Sequence, residues 1–549
     1  MSPNVRHQFL SNALKCLETE RWRRAEAECQ ALLLQAPDDV EGTLLLGLTV
    51  AAMGEADRAA PLLNKVAAIK PDHAHPCRDL AEMRPAVPRR LVASQYRACL
   101  VLSPADSRLR RDFASFLLDH DGPAEALAVL EMADDCAATR NLRGIALAEL
   151  GRFQDAITAF EHAVGYDPVP SIGWSNLGLM LKIEGRYDDA IAAYDEAVAR
   201  SPKDAHIHVN RAVALLHAGR WTEAWGEYEW RLRLPGHTPL PLDRLLPAID
   251  TLGDLREVTI LAQHEEGFGD TLHFMRYLPL LSERGARVIA MVPQPLARLV
   301  ASVAGVEEIV SSVDPLPAYD FHCPFFSLPR AFGSTVATVP NEPYVAADPV
   351  LSARWKERLP ATGLRVGLVW AGQARPWLPG FSSLDARRSA GLAAFAPLAA
   401  VPGLSFVSLQ AAGPAAQCAQ IPPAGMSLFD PMGSVEDFAD TAAIIDNLDV
   451  VVSVDTAVVH LAGAMGKPVF LVDRYDNCWR WLSGRADSPW YPSMTIFRQS
   501  RLGDWSEPME RMAAALAGMA AFHGAAAKAS SAGPDPKVRA SVGETVPAE

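Results

Sequence analysis

A repeat of 34 residues dominates the first half of this 549-residue chain. Glycine, alanine and an aromatic residue each recur at this step: Gly151, Gly185 and Gly219; Ala156, Ala190 and Ala224; Phe160, Tyr194 and Tyr228. The glycine permits a tight turn between two helices, and the alanine lets these helices approach closely. Because one such hairpin cannot bury its apolar face alone, the repeat predicts a stacked helical solenoid with a concave groove.

The period and its residue types resemble the tetratricopeptide repeat. Earlier copies are more degenerate, although Trp22 and Ala56 keep the 34-residue step. We expect about six helical pairs between residues 8 and 232. Solenoids of this kind present a groove to other molecules, so we expect a protein partner in the repeat groove.

The pattern changes after a junction rich in Pro and Leu. Strands and helices then alternate. The predicted elements include a helix from about Thr271 to Arg284 and strands at Val258–Ala262, Val288–Val292, Val450–Ser453 and Pro468–Val472. Alternation of this kind predicts parallel sheets with helical crossovers. The predicted domains are a solenoid over 1–232, a linker over 233–256, a first lobe over 257–350, a second lobe over 351–523 and a disordered tail over 524–549.

Composition narrows the classes of partner. A formal net charge of -14 argues against nucleic acid, since such partners require a basic surface. The eight cysteines lack metal-ligand spacing and predict isolated thiols and no metal site. The N-terminus shows no apolar signal segment, and the most apolar stretch, 450–472, contains Asp455, His460 and Lys467. We therefore expect a cytoplasmic protein without a transmembrane segment.

The first motif with chemical potential is His264-Glu-Glu-Gly267-Phe-Gly269-Asp270, which follows a predicted strand and opens a helix. Its glycines let the backbone turn sharply and approach a ligand. Asp270 is expected at or beside the helix N-cap, where a carboxylate can take a proton from a hydroxyl. Aspartate is also a favoured capping residue, so the residues alone leave both roles open.

The second motif, Asp455-Thr456 followed by His460, lies where a strand turns into a helix. Free N–H groups at the helix start and the threonine hydroxyl are suited to holding a diphosphate. His460 is expected on the same helical face as Thr456. The alternative is that the turn only caps the helix and that His460 is a core histidine.

Two further segments belong to the predicted second lobe. Trp370-Ala-Gly372 ends its first strand, at the edge of the sheet where ligands of α/β proteins bind, and Arg388 can neutralise a phosphate through a bidentate contact. The aromatic cluster that includes Trp481 and Trp490 offers flat faces for a sugar, although such clusters are more often core.

Residues 257–522 resemble glycosyltransferase family 9, the heptosyltransferase-like enzymes, and more narrowly the bacterial branch with tetratricopeptide repeats upstream. The matching blocks occur in the family's order and include EGFGDTLHFMRYLPLL, RVGLVWAG, RRS, FVSLQ and VVVSVDTAVVHLAGAMGKPVFLV. The resemblance implies an α-solenoid followed by an α/β GT-B fold of two Rossmann-like lobes. It also implies transfer of a sugar from a nucleotide-diphosphate donor to a hydroxyl of a glycan, peptide or protein acceptor, with inversion and without metal or cofactor.

The same resemblance assigns roles to residues. Asp270 corresponds to the proposed general base. Residues expected to bind the donor are Gly267, Gly269, Trp370, Gly372, Arg388, Ser389, Gln410, Asp455, Thr456 and His460. Residues expected to contact the acceptor or the sugar are His264, Glu265, Arg480, Trp481 and Trp490.

The sequence departs from the family pattern at Ala457, where Gly or Ser is usual, and in the segments Gln373–Asp385 and Asp473–Cys478. Two rival functions remain. One is a tetratricopeptide scaffold with a catalytically inactive transferase-like module. The other is a nucleotide-dependent oxidoreductase, against which the incomplete GxGxxG fingerprint argues.

Overall fold

The computed structural model describes the chain except for residues 1, 20, 54, 70–91, 94–95, 98, 101–102, 121, 167–169, 238, 312–314, 374–381, 412–420 and 532–549. The chain forms two compact units, Met1–Glu184 and Gly185–Glu549. Within the described residues, no helix combines the length and the apolar character that crossing a bilayer requires.

The first unit consists of antiparallel helix pairs. Its helices are α1 (Pro3–Glu18), α2 (Trp22–Gln35), α3 (Val40–Ala52), α4 (Ala56–Ile69), α5 (Ser107–Leu118), α6 (Pro123–Leu130), α7 (Ala137–Glu149), α8 (Phe153–Val164) and α9 (Ser171–Ile183). Gly151, between α7 and α8, has a φ of 72°, in the left-handed region that favours glycine. Ala156 is fully buried between helices, as the repeat pattern predicts.

The second unit begins with the remaining repeats, α10 (Tyr187–Arg200), α11 (Ala205–His217) and α12 (Trp221–Tyr228). Gly219 again turns the chain with a φ of 74°. The division into units therefore falls after Glu184, inside the segment predicted as one solenoid. The last repeat joins the second unit because Trp221 and Trp225 pack against rings from the C-terminal part of the chain.

The segment between the repeats and the first sheet is packed rather than a free linker. It forms short 3-10 helices at Glu229–Arg233, Leu242–Arg244 and Ile249–Thr251. Leu246 and Leu255 are fully buried. The Leu246 N–H also donates to the carbonyl oxygen of His322 at 2.8 Å, which ties this segment to the first sheet.

The first sheet contains four parallel strands in the order β3-β2-β1-β4. They are β1 (Thr259–Gln263), β2 (Arg287–Met291), β3 (Val306–Val310) and β4 (Phe321–Pro324), with helices α13 (Phe268–Phe274), α14 (Leu278–Glu283), α15 (Gln294–Val300) and α16 (Leu328–Ala331). The predicted helix over 271–284 is divided, because Met275–Tyr277 forms a 3-10 turn before Pro279.

The second sheet contains six parallel strands in the order β10-β9-β8-β5-β6-β7. Its elements are α17 (Pro349–Lys356), β5 (Leu364–Val369), α18 (Ser382–Arg387), α19 (Ala396–Ala399), β6 (Leu404–Ser408), β7 (Leu428–Phe429), α20 (Phe438–Asp446), β8 (Val450–Val454), α21 (Ala457–Ala464), β9 (Val469–Asp473), β10 (Met494–Arg498) and α22 (Ser506–Ser531). Every residue of β8 and β9 is buried, as expected for central strands of a parallel sheet. The two sheets give the predicted α/β, GT-B-like pair of lobes.

Two sequence-based expectations need correction. Helix α22 continues to Ser531, so residues 524–531 are helical rather than part of a disordered tail, and the remaining tail lies outside the described residues. The expectation of isolated thiols holds for Cys16, Cys29, Cys136, Cys323 and Cys478. It is wrong for Cys99, which is disulfide-bonded.

Candidate functional site

The strand order of each sheet marks a crevice. From β5 the chain first builds β6 and β7 on one side, and then returns to place β8 on the other side. Ligands of open α/β sheets bind at such a reversal, beyond the carboxyl ends of the strands. In the second sheet the residues at this point are Trp370–Gly372 and Asp455–Thr456. In the first sheet β1 and β4 form the reversal, and His264–Gly267 follow β1.

The turn after β8 leaves polar groups available. Asp455 and Thr456 are half-buried, and Thr456 directly precedes helix α21. The Thr456 hydroxyl lies 3.1 Å from Ser453 Oγ and makes no capping bond to the helix. The residues therefore fit an anion at the positive end of α21 better than they fit a self-capped turn.

The end of β5 brings three of the expected donor-binding residues together. A Cβ atom at Gly372 would lie 2.5 Å from Arg388 Nε, so only glycine leaves room for this guanidinium. Arg388 pairs with Asp385 at 3.0 Å, and the Gly372 N–H donates to Ser389 Oγ at 3.2 Å. Arg388 and Ser389 are thereby fixed at the carboxyl edge of the second sheet.

Gln410 and Trp370 stabilise the backbone at the carboxyl end of β5. Gln410 Oε1 accepts the N–H groups of Trp370 and Ala371 at 3.1 and 3.0 Å, and its amide nitrogen donates to the Ala371 carbonyl at 3.0 Å. The Trp370 ring is buried in the core of the second lobe. Both residues shape the strand end, and neither presents its side chain to a ligand here.

Asp270 lies three residues into the helical segment rather than at its cap. Gly267 is the N-cap because its extended backbone lets α13 begin at Phe268, earlier than the sequence suggested. The Gly267 N–H donates to Asp270 Oδ2 at 3.0 Å. Asp270 Oδ1 forms an ion pair with Arg480 Nη2 at 2.5 Å, and the side chain is 22% exposed.

Opposing effects act on the ionisation of Asp270. Burial raises the pKa of this carboxyl above its ordinary value, and Asp455 adds a small effect in the same direction. Arg480 and the Gly267 N–H oppose the rise because they favour the charged form. A partly exposed carboxylate with a raised pKa, set beside the Asp455–Thr456 turn, has the properties of a general base.

The two lobes meet at Gly269. A Cβ atom there would lie 3.0 Å from His460 Cδ2 and 3.3 Å from Ala457 Cα. Gly269 therefore lies at a close approach of α13 and α21, where a larger residue would require its neighbours to shift by a few tenths of an ångström. This contact places Asp270 beside the Asp455–Thr456 turn of the other lobe.

His460 does not reach the donor crevice. Its Nδ1 lies 3.0 Å from the Tyr491 hydroxyl, and Nδ1 of His273 lies 2.9 Å from the same oxygen. Burial holds the pKa of both imidazoles well below the usual value. The structure thus favours the alternative of a core histidine, because His460 is buried and its Nδ1 is hydrogen-bonded to Tyr491.

Glu265 is likewise a structural residue. Its carboxylate receives Arg231 in a bidentate ion pair, at 2.8 and 3.2 Å, and the Phe326 N–H at 2.9 Å. These partners lower the pKa of Glu265 despite its burial. His264 is half-buried, and its Nδ1 lies 2.6 Å from Thr271 Oγ1. Both oxygens of Glu265 are bonded to protein groups, so the structure gives it a structural role, and its contact with an acceptor stays a prediction.

The two tryptophans expected at the sugar are core residues. Trp481 and Trp490 are both 0% exposed. Trp481 stacks on His460 with ring centres 5.3 Å apart, and Trp490 stacks on Trp221 at 4.9 Å. Each ring is stacked on another ring, which favours the alternative of core residues, and their role in sugar contact stays a prediction. Arg480 alone of this segment points toward Asp270.

Sequence reasoning missed the residues that cover these side chains. Some come from the end of the repeats, namely Trp221, Trp225 and Arg231. The others are His273 and Tyr491, and the Tyr491 hydroxyl is hydrogen-bonded to both His273 and His460. The dense aromatic and charged block GRWTEAWGEYEWR was the available signal, since such a block exceeds the needs of a surface helix.

Comparison with known proteins agrees with this architecture. Residues 16–74, 112–171, 141–181 and 184–229 match the tetratricopeptide repeat, and residues 435–501 match glycosyltransferase family 9 (heptosyltransferase). The chain thus contains segments similar to the tetratricopeptide repeat in its N-terminal half and a segment similar to glycosyltransferase family 9 in its C-terminal part. Among curated proteins, Protein FlbA of Caulobacter vibrioides is 26% identical over 557 residues, covering 94% of this chain and 90% of FlbA.

Two solved structures give local likeness only. A glycosyl transferase family 9 protein from Veillonella parvula is 10% identical with a TM-score of 0.33, covering 45% of this chain and 87% of its own. MamA is 21% identical with a TM-score of 0.25, covering 26% of this chain and 87% of its own.

In the described part of the chain, no group of three His, Cys, Asp or Glu side chains is arranged to hold a metal ion.

Proposed function

We propose that this protein is an inverting glycosyltransferase that moves a sugar from a nucleotide-diphosphate donor to a hydroxyl of a glycan, peptide or protein. One observation carries the proposal: Asp270, from the crevice of the first sheet, lies against the Asp455–Thr456 turn at the crevice of the second. The family 9 match over residues 435–501 covers this turn.

The proposed reaction is a direct displacement. Asp270 accepts the proton of the acceptor hydroxyl while that oxygen attacks the anomeric carbon, and the nucleoside diphosphate leaves from the opposite face. The N–H groups of α21, the Thr456 hydroxyl and Arg388 stabilise the charge on the departing diphosphate. Because these groups already neutralise the diphosphate, the reaction is proposed to need neither a metal nor a cofactor.

The repeats are proposed to select the acceptor. Tetratricopeptide hairpins stack into a surface that suits an extended peptide or a partner protein. We place this activity in the cytoplasm, where nucleotide sugars are made.

Replacement of the proposed base tests the mechanism. Asp270→Asn keeps a side-chain oxygen that accepts the Gly267 N–H but cannot take up the proton. We expect turnover to fall by about 10²- to 10⁴-fold, the usual contribution of general-base catalysis, in assays that contain excess EDTA. Donor affinity, measured by calorimetry, should change little.

The matched control is Asp487→Asn, an exposed aspartate that pairs with Arg485 in the second lobe. It should turn over at the wild-type rate. Wild-type turnover in Asp270→Asn would show that the base lies elsewhere. Absence of transfer or donor hydrolysis in the wild type, across a panel of nucleotide sugars, would instead support the scaffold alternative.

A further inference from the structure

The segment Asp473–Cys478, which departs from the family pattern, follows strand β9 directly. Strand β9 lies next to β8 in the second sheet. Since both strands run in the same direction, their carboxyl ends meet at one edge. The segment therefore leaves the sheet beside the Asp455–Thr456 turn, and the charge of Asp455 acts on Asp473.

Three side chains at this edge are buried and incompletely hydrogen-bonded. Asp473 is 1% exposed, Asp476 is 9% exposed, and Gln499, which follows β10, is 4% exposed. Asp473 Oδ1, Asp476 Oδ1 and Gln499 Nε2 find no hydrogen-bond partner in the described residues. A buried polar atom without a partner is costly, so three in neighbouring residues indicate a function.

The remaining atoms of these side chains are held firmly. Asp473 Oδ2 accepts from Arg498 Nε at 2.7 Å, and Asp476 Oδ2 accepts from Arg387 Nε at 3.0 Å. Arg474 Nε lies 3.2 Å from Asp476 Oδ1 but donates its hydrogen to the backbone oxygen of Asp476. These arginines compensate the buried charges, but none of them donates a hydrogen bond to Asp473 Oδ1 or Asp476 Oδ1.

The orientation of the Gln499 amide follows from its neighbours. Its oxygen accepts the N–H groups of Tyr475 at 3.1 Å and Gly503 at 3.4 Å. The NH₂ group is therefore the free end. The edge thus offers two carboxylate oxygens that accept and one amide nitrogen that donates.

The Arg387–Asp476 pair shows where these atoms lie relative to the donor crevice. Arg387 ends helix α18, which precedes the Arg388 and Ser389 contacts at the end of β5. Because β8 lies between β5 and β9, this pair spans the carboxyl end of β8. The free polar atoms are consequently next to the turn that is proposed to hold the diphosphate.

We propose that Asp473, Asp476 and Gln499 form a subsite for hydroxyl groups of the transferred sugar of the donor. This proposal rests on the proposed glycosyltransferase function. A sugar hydroxyl both donates and accepts, which matches two free acceptors and one free donor. A phosphate does not match, because two carboxylates repel it, and an apolar group would leave all three atoms unpaired.

Two substitutions test the subsite while keeping the local hydrogen bonds. Asp476→Asn retains an oxygen toward Arg387 and removes the charge that strengthens a bond to a hydroxyl. Gln499→Glu retains the oxygen that receives the Tyr475 and Gly503 N–H groups and replaces only the free NH₂ group. The full chain is titrated by calorimetry with UDP-, GDP-, dTDP- and ADP-linked sugars, and with the matching free nucleoside diphosphates.

We expect each variant to bind the nucleotide sugar about 10- to 100-fold more weakly, the range for a hydrogen bond to a charged group. Affinity for the free nucleoside diphosphate should change by less than about threefold, and Asp487→Asn should match the wild type for both ligands. A melting temperature near that of the wild type identifies each variant as folded. One folded variant is enough to test the subsite.

Unchanged binding of the nucleotide sugar would overturn the subsite. Equal weakening of both ligands would also overturn it, because the contacts would then belong to the ribose or the phosphates. If the wild type bound nucleoside diphosphates but none of the linked sugars, the proposed sugar subsite would be wrong, and nucleotide binding in the crevice would still be supported. If it bound neither class, the proposed function itself would fail.

Discussion

At the scale of single residues, the decisive contact is the ion pair between Asp270 and Arg480. Burial alone raises the pKa of Asp270, and a base that stays protonated near neutral pH cannot act. The guanidinium of Arg480 opposes this rise because it stabilises the charged carboxylate. Arg480 therefore sets the pH range in which Asp270 can accept a proton.

Removal of the positive charge of Arg480 should shift the pH dependence of activity in a defined direction. In Arg480→Gln the pKa of Asp270 rises further, so the carboxylate becomes ionised only at higher pH. The acid limb of the pH profile of kcat/KM for the acceptor should move to higher pH, and the loss of activity should be greatest in acid. Steady-state kinetics between pH 5 and 9 (roughly the range where such a limb falls) measure the shift. A limb at the wild-type position, or one displaced toward lower pH, would contradict the role of Arg480.

The sequence predicted that Asp455 and Thr456 directly follow a strand, because the apolar run before them is typical of a buried parallel strand. Asp270 lies inside α13 and Arg388 follows α18, and their roles in the site stay predictions. The sequence did not predict which neighbouring side chains are covered. His460, for example, is hidden by Tyr491, which lies 31 residues away in the chain. Such long-range covering leaves no periodic signal in one sequence, and the role of Asp270 as a base stays a prediction.

At the scale of elements, the 3-10 segment Glu229–Arg233 links the last repeat to the first sheet. Arg231 is 2% exposed and pairs with both Glu229 and Glu265. It also donates to Ser327 Oγ at 2.8 Å. Since Glu265 follows β1 and Ser327 follows β4, this one side chain holds together the two strand ends of the first crevice.

The cost of removing Arg231 can be predicted from its burial. Arg231→Met leaves Glu265 buried without its cation and should lower the free energy of unfolding by about 3–5 kcal/mol. The double substitution Arg231→Met/Glu265→Gln should be less destabilising, since it removes the uncompensated charge. Urea unfolding followed by tryptophan fluorescence gives both values.

Arg233→Met is the matched control, because Arg233 is exposed and lies over the Trp230 ring on the same segment. It should cost less than about 1 kcal/mol, as surface substitutions usually do. A double variant as unstable as Arg231→Met would mean that lost packing, and not the unpaired carboxylate, accounts for the effect.

Elements with a strong apolar run were predicted well. Strands β1, β2, β8 and β9 lie within a residue or two of their predicted bounds, because central parallel strands are buried on both faces. Strand β3 was missed because its sequence, VEEIV, carries two glutamates at the edge of the sheet. The subdivided helix after Asp270 was missed because its apolar period continues through the 3-10 turn.

At the scale of the whole molecule, the boundary between the compact units lies inside the repeats. Helices α10 to α12 belong with the two lobes, although their sequence has the same 34-residue period as the helices before Glu184. Trp225 explains why: its ring contacts Trp479 at 5.7 Å, and its Nε1 donates to the Ser334 carbonyl at 2.7 Å. Periodicity identified the repeats but did not show which of them the lobes require.

Truncation provides the corresponding prediction. A chain that begins at Gly185 keeps Trp221, Trp225 and Arg231, and should be soluble, cooperative in unfolding and able to bind the donor with near wild-type affinity. A chain that begins at Glu257 loses all three, exposes the rings of Trp479 and Trp490, and should aggregate or unfold at a markedly lower temperature. Gel filtration, thermal melting and donor calorimetry compare the two. Equal behaviour would mean that the last repeats do not stabilise the lobes.

The rings that join the last repeat to the lobes also impose an order on biosynthesis. Trp221 leaves the ribosome 269 residues before Trp490, the ring on which it stacks. At roughly 5–20 residues per second, that interval lasts about 13–50 s. During this time α12 is a finished helix whose apolar face has no cover, while the repeats upstream can already close on one another. Each nascent chain therefore exposes an apolar tryptophan surface until its final strands emerge. Ribosome-bound chaperones shield surfaces of this kind.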